Sequence, residues 1–489
     1  METLFGERLR RWSADPGVPP ALEMPGRTIP YAELNGRVDA CAAWLAAEGC
    51  RPGGVVAVTI ADEVTNLVAT LALLRLGVPQ TCLPAHEPAA VRARLAGRLD
   101  VARVVAVDAR HGLDGRPLSL ATQDRLRPAP GQRPCTALHA DPDAVALYFT
   151  SSGTTGEPKI IPMSQRVLAM RAERGNLAPG ERPFLLGSVE DYPGRSSRLR
   201  AAHQGLTSVL QSTEGSSRLD VRDLCSRLRV TRLDLTVLQA TGLAAGGPSA
   251  LAFPAGLKAF ASGSRVPKTL RDAFRAAGTP LYVEYGAREA GGFTSTWPAD
   301  RDPSIENVGS VVAGTELELV GADGAPARHG EIGEIRVRSA VMVGGYLRDA
   351  EATSRHFRDG WFHPGDLGSL TCHGSLVLHG RADDMMNLSG IKIFPAEIER
   401  VLESDASVKA AAAFAVPSAV YGDLPYAAVE LHDAAARDVS ALMARARARL
   451  GTRAPRKIIV VDALPRNSTG KVLRRELAAL ATGAGFRER

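Results

Sequence analysis

Lysine is scarce in this chain. Of 59 basic residues among 489, seven are lysine and 52 are arginine. A chain that fills ordinary cationic positions with arginine keeps lysine where a compact, flexible ammonium is needed. Lys159, Lys392 and Lys471 all fall in the motifs described below. Cysteine is also sparse: Cys41, Cys50, Cys82, Cys135, Cys225 and Cys372 are scattered, with no C-x-x-C pair. That argues against a disulfide framework or a thiolate zinc site and leaves small buried hydrophobes. No apolar run reaches the ~18–20 residues that span a bilayer. Residues 1–15 are charged and amphipathic, without the apolar core of a signal peptide, so the expected compartment is cytoplasmic. The net charge of +6 is small and dispersed, and nucleic acid is not an expected partner.

What the chain does have is an ordinary globular balance, 45% hydrophobic and 23% charged, over a length that exceeds one core. In the first 300 residues, short apolar runs (55–60, 101–107, 144–149, 257–261, 281–285) alternate with helical patterns (61–76, 164–174, 268–277). This βαβ rhythm predicts an α/β fold of parallel-type sheets covered by helices. From about residue 315 the pattern turns β-rich with tight turns, an antiparallel or barrel-like subdomain over 315–380. Beyond it lies a small α+β unit, 385–489. Its helices are expected at 395–403, with Pro395 at the first helical position, 439–450 and 472–480, and its strands at 409–416, 427–431 and 457–461. Residues 128–134 read as a surface linker. Arg195, Arg198 and Arg200 read as a solvated basic face, with a second substrate anion as the alternative.

The most informative segment is Tyr148-Phe149-Thr150-Ser151-Ser152-Gly153-Thr154-Thr155-Gly156-Glu157-Pro158-Lys159. A strand delivers a run of hydroxyls and glycines that ends in Pro-Lys. Gly153 and Gly156 let backbone N–H groups converge on an anion, the hydroxyls of Thr150, Ser151, Ser152, Thr154 and Thr155 can donate to phosphate oxygens, and Lys159 adds charge. The Walker A spacing is not met.

This segment resembles the signature of the adenylate-forming enzymes: acyl-CoA synthetases, adenylation domains and luciferases. Further segments match that family in order. They are Tyr285-Gly286-Ala287-Arg288-Glu289, Gly345-Tyr346, Trp361-Phe362-His363-Pro364-Gly365-Asp366, Gly380-Arg381-Ala382-Asp383-Asp384, Ser389-Gly390-Ile391-Lys392 and Asn467-Ser468-Thr469-Gly470-Lys471. The resemblance implies that ATP and a carboxylic acid form an acyl-adenylate and pyrophosphate. A thiol, of CoA or of a carrier-protein phosphopantetheine, then displaces AMP. By the same resemblance Glu289 is the Mg²⁺ ligand, Tyr285 stacks on adenine beside Gly286, Asp366 holds the ribose, and Arg381 reaches the ribose or α-phosphate. Lys471 bridges the carboxylate and the α-phosphate. The division becomes an N-terminal ATP- and acid-binding domain 1–380, a hinge 381–384 centred on Asp383, and a mobile C-terminal domain 385–489. Rotation about the hinge would bring Ser389, Gly390 and Lys392 to the site for the thiol step. The acid pocket is expected among 187–205, 238–242, 262–265 and 285–292, with Asp191, Tyr192, Gly263 and Gly291 as lining residues.

Two departures stand out: Arg288 replaces the family's Thr, and Asn387 its frequent Lys. The expected partners are a small carboxylic acid and, as one of two acceptors, a carrier protein acting in trans. Two alternatives remain open from sequence. One is a nucleotide-binding relative without adenylation, and the other an adenylating enzyme whose final nucleophile is not a thiol, such as an amine.

Overall fold

The computed structural model describes residues 4–128, 141–151, 158–174, 177–211, 220–298, 302–432, 438–467 and 470–482. The βαβ rhythm closes into two sheets. The first has six strands in the order Leu118–Leu120, Val101–Ala106, Val55–Thr59, Gln80–Cys82, Val145–Thr150, Ile160–Ser164. All pairings are parallel except the last. The second has nine strands, with Pro183–Leu185, Ser208–Val209, Arg232–Thr236, Lys258–Ser262 and Leu281–Ala287 running parallel at its centre. Its ends are antiparallel, where Arg27–Ile29 pairs with Leu22–Met24 and Gly291–Ser295 pairs with Leu281–Ala287. The sheets are of the parallel type expected, and their antiparallel ends have a simple reason. Gly291–Ser295 follows its neighbour after three residues, and a parallel return needs a crossover of a dozen or more.

Helix Glu63–Leu76 is buried along its whole length, and its polar side chains Glu63, Asn66 and Arg75 are hydrogen-bonded inside. It is capped by Asp62, which accepts from Thr65 N at 2.7 Å, so helix 61–76 in fact begins two residues late. Helix Tyr192–Gln204 packs beside it and corrects the reading of its arginines. Arg195 and Arg198 are buried, donating to Asn66 Oδ1 (3.1 Å) and Glu63 Oε2 (3.0 Å). They are internal polar links between two helices, not a solvated face. Cys41, Cys50 and Cys225 are buried as expected, but Cys372 is exposed in a turn. Cys135 and most of the 128–134 segment lie outside the described residues.

The β-rich subdomain is an antiparallel sheet built from Thr315–Val320, Gly333–Ser339, Phe357–Arg358, Trp361–Phe362, Asp366–Leu370 and Leu376–Arg381. Its core of Ile335, Val337, Phe362 and Leu376 includes Phe293 of the nine-stranded sheet, so the two are packed as one. The C-terminal unit has a core of its own, with Ile398, Leu402, Val429 and Leu442 at its centre. Its last helix is Arg474–Thr482, not 472–480, because Val472 pairs with Arg466 in an isolated bridge. Lys471 therefore sits in a loop ahead of the helix. No helix among the described residues is long and apolar enough to cross a membrane.

Candidate active site

The carboxyl end of strand Leu281–Ala287, the turn before Asp366–Leu370 and the loop carrying Lys471 converge. Asp366 and Arg381 are cross-strand partners, and the register brings the guanidinium within 3.6 Å of Asp366 Oδ1. The Tyr285 hydroxyl donates to Asp366 Oδ2 at 2.5 Å. Burial raises the Asp366 carboxyl above its ordinary value, against the pull of Tyr285, Arg381 and Lys471. Burial and then Asp366 push the Tyr285 phenol well up. Gly286 is required by close approach, since a Cβ there would lie 2.3 Å from the carbonyl oxygen of Gly291.

Lys471 reaches this cluster from the C-terminal unit. Asn467 fixes its loop by accepting from Lys471 N at 2.9 Å through the side chain. Gly470 is left-handed (φ 82°) and packs on Leu238 of helix Val237–Ala244 in the N-terminal unit. The Lys471 ammonium interacts electrostatically with Asp366, Arg288, Arg381 and Glu289. Burial lowers its pKa, and Asp366 offsets that only in part. A half-desolvated ammonium facing two arginines gains most from an incoming anion.

Next to this lies a second group. Glu289 is buried and accepts from the Tyr346 hydroxyl at 2.9 Å. Lys159 sits over the Tyr346 ring, 4.9 Å from its centroid, and donates to His356 Nε2 at 2.8 Å. Ser151 and Lys159 are held together: Ser151 N donates to the Lys159 carbonyl (2.8 Å) and Lys159 N to Ser151 Oγ (3.1 Å). They form the two ends of the hydroxyl- and glycine-rich segment. Ser152, Gly153, Thr154, Thr155 and Gly156 lie outside the described residues.

Arg288 donates to the carbonyl of Thr150 and lies 5.5 Å from the centroid of the Tyr192 ring. It joins the phosphate segment to the helix that Asp191 and Tyr192 begin. Tyr192 meets Phe149 edge to face at 4.5 Å, an aromatic wall. Arg171 donates to the carbonyls of Arg288, Glu289 and Val341 and to the Tyr192 hydroxyl, all within 2.8–3.1 Å. Gly291 begins its strand against Val341, and Gly263 opens onto space with nothing within 4 Å of an added Cβ.

Residues 9–347 match the family model described as AMP-binding enzyme, and residues 397–471 the AMP-binding enzyme C-terminal domain. The chain belongs to the AMP-binding enzyme family. Among its curated relatives is the 2-succinylbenzoate–CoA ligase of Geobacillus kaustophilus, 30% identical over 468 residues, covering 93% of each chain. Another is the salicyl-AMP ligase / salicyl-S-ArCP synthetase of Mycobacterium tuberculosis, 28% identical over 540 residues and covering 99% of this chain and 91% of that one. A solved anthranilate CoA ligase bound to anthranoyl-AMP shares the fold, with a TM-score of 0.86 at 21% identity over 98% of this chain and 97% of that one. This chain is thus an acid–thiol ligase of the AMP-forming type, using ATP and a CoA or carrier thiol.

In this AMP-binding enzyme the residues expected on the thiol side do not join the cleft. Ser389, Gly390 and Lys392 are exposed on the hairpin of Met386–Leu388 and Ile391–Ile393. Their backbone is tied to Tyr421 (Ser389 N, 2.9 Å) and to the Asn387 side chain (Gly390 N, 2.8 Å). Asp383 is exposed and accepts from Arg381 at 3.1 Å. Arg265, inside the 262–265 stretch expected to line the acid pocket, instead bridges the two units. It pairs with Glu306 at 2.5 Å and with Glu403 of the C-terminal helix Pro395–Glu403 at 2.8 Å. Burial opposes its charge, but Glu403, Glu306 and Glu399 hold it protonated. Arg400 reaches back to Glu306 at 3.4 Å.

Sequence reasoning missed Arg171, His356 and Phe149 as parts of the site. Arg171 was one arginine in a helical pattern and His356 fell in no motif. Only the aromatic at 149, one residue before the signature hydroxyls, offered a signal.

Proposed function

We propose that the protein activates a small aromatic carboxylic acid as its adenylate and passes the acyl group to a thiol, with the residues above in the following roles. Lys471 supplies a mobile positive charge where the acid carboxylate meets the α-phosphate. Joining two anions requires neutralisation at their junction, and a preorganised charge in a desolvated cleft does this best. Asp366 accepts the ribose hydroxyls once Tyr285 yields, and Arg381 lies beside them. Lys159, with the segment 150–156, holds the β- and γ-phosphates. The single carboxylate of Glu289, next to a phosphate site, suits Mg²⁺, which takes one or two carboxylates and otherwise phosphate oxygens and water. When bound, Mg²⁺ would spread the charge of the departing pyrophosphate. Tyr192 and Phe149 form a wall suited to a flat ring, and the aromatic-acid ligases among the relatives support that choice. Arg288 pins the mouth of the pocket to Thr150, occupying the place of a hydroxyl with a charge-assisted bond.

The observation that carries the reading is the Lys471 ammonium, borne on the separate C-terminal unit, interacting electrostatically with Asp366, Arg381 and Glu289. The domain division at 381–384 is part of the proposal: Lys471 serves adenylation in this pose, and the exposed 389–392 hairpin serves the thiol step after rotation.

The test is ATP–pyrophosphate exchange across aryl, alkyl and amino acids, with hydroxylamine trapping. Acid-dependent exchange strongest with aryl acids is expected. ATP binding without exchange on any acid would favour an inactive relative. Product analysis with CoA and with a holo-carrier separates the two thiols from an amine acceptor.

A further inference from the structure

We propose that His356 is a positioning residue for the ammonium of Lys159. The inference rests on the reading of Lys159 as a ligand of the β- and γ-phosphates. His356 ends the helix Ala350–His356, a short element started by Asp349, which accepts from Ala352 N at 2.9 Å. Its ring is fixed at both nitrogens. Nδ1 lies 2.8 Å from the carbonyl oxygen of His363, which can only accept, so the proton sits on Nδ1. Nε2 is then a bare lone pair, and the Lys159 ammonium stands 2.8 Å from it. The ring plane is set by Phe362, stacked at 6.3 Å, and by the edge of Tyr346 at 5.9 Å.

The same tyrosine carries both charged groups of the phosphate side. Its ring face lies under Lys159, and its hydroxyl donates to Glu289. Lys159 has three N–H donors, and directing one into His356 aims the other two away from the imidazole. A lysine side chain has four rotatable bonds, so a free ammonium must be ordered before it can hold an anion. Fixing the ammonium before the ligand arrives removes much of that ordering cost from binding. The neutral imidazole is the form that can accept. Burial, together with the charges of Lys159 and Arg381, keeps His356 below the usual histidine range, against its bond to His363 and the pull of Glu289.

The proposal predicts a split between nucleotides. ATP and pyrophosphate contact Lys159, whereas AMP lacks the β- and γ-phosphates. Calorimetric titration of the intact protein with MgATP, magnesium pyrophosphate and AMP reads this directly. His356→Phe keeps a stacked ring and removes the acceptor. It is expected to weaken ATP and pyrophosphate about tenfold, equivalent to about 1.4 kcal/mol, and to leave AMP within about twofold. His356→Gln, whose Oε1 can accept from Lys159, is expected to restore ATP affinity to within about threefold of wild type. In a Lys159→Met background, His356→Phe should have no further effect, because coupled residues are not additive. Parallel loss of AMP and ATP affinity in His356→Phe would show a structural role only and overturn the proposal. So would unchanged ATP affinity in that variant while Lys159→Met binds ATP poorly. Unchanged ATP and pyrophosphate affinity in Lys159→Met would instead sink the phosphate reading of Lys159. Should His356→Phe not fold, nuclear magnetic resonance of the wild-type imidazole nitrogens decides. A shift of Nε2 with pyrophosphate and none with AMP supports the proposal, and no shift with pyrophosphate overturns it.

Discussion

Lys471 and Lys392 belong to the same C-terminal unit and stand in contrasting surroundings. Lys471 is half-buried on a loop docked against Leu238, within the field of Asp366 and Glu289 and of Arg288 and Arg381. Lys392 is exposed on a hairpin whose backbone bonds stay inside its own unit. The same ammonium is thus electrostatically committed at one position and idle at the other. What separates them is which face of the unit meets the cleft. That face is held by a cross-unit ion cluster: Arg265 with Glu306 and Glu403, and Arg400 with Glu306. In the function proposed above, this pose serves acid activation and the 389–392 hairpin serves the thiol step after a rotation.

Changes at the hinge, the latch and the waiting face break that contrast in different ways. Asp383→Pro fixes φ at the pivot and should block rotation. Thioester formation is expected to fall about 100-fold or more while pyrophosphate exchange stays within about threefold; equal loss of both steps would remove the pivot from 383. Arg265→Met removes the cation of Glu403 and leaves Glu306 with Arg400 as its ion-pair partner, the costly way to break a buried pair. Exchange should fall about tenfold, and protease cleavage near 381–384 should quicken; unchanged exchange and cleavage would show that the cluster does not hold the pose. Lys392→Ala removes an exposed cation, so about a threefold rise in the KM for the thiol is expected, with exchange untouched. A drop in exchange would place Lys392 in the wrong half-reaction.

Much of this arrangement was legible in the sequence. Local period predicted the runs that became Val55–Thr59, Gln165–Arg174 and Pro395–Glu403, because each buries one face or both in a regular way. The motif residues Tyr285, Glu289, Asp366, Arg381 and Lys471, distant in sequence, do come together. What was hidden depends on packing between elements. Arg198 looked solvated because the charge that answers it, Glu63, lies 135 residues away on another helix, and Arg195 because its partner on that helix is the Asn66 side chain. Arg265 looked like pocket lining because its partner Glu403 belongs to the other unit. The antiparallel ends of the sheets follow from connection length, which a strand-by-strand reading does not weigh.

The most direct test of the account is Lys471→Ala assayed in both half-reactions, pyrophosphate exchange and thioester formation from a pre-formed acyl-adenylate. The expected result is a loss of exchange of about 100-fold or more, on the scale of removing a preorganised transition-state charge, with thioester formation kept within about threefold. Equal loss of the two half-reactions, or exchange that survives without the ammonium, would contradict it.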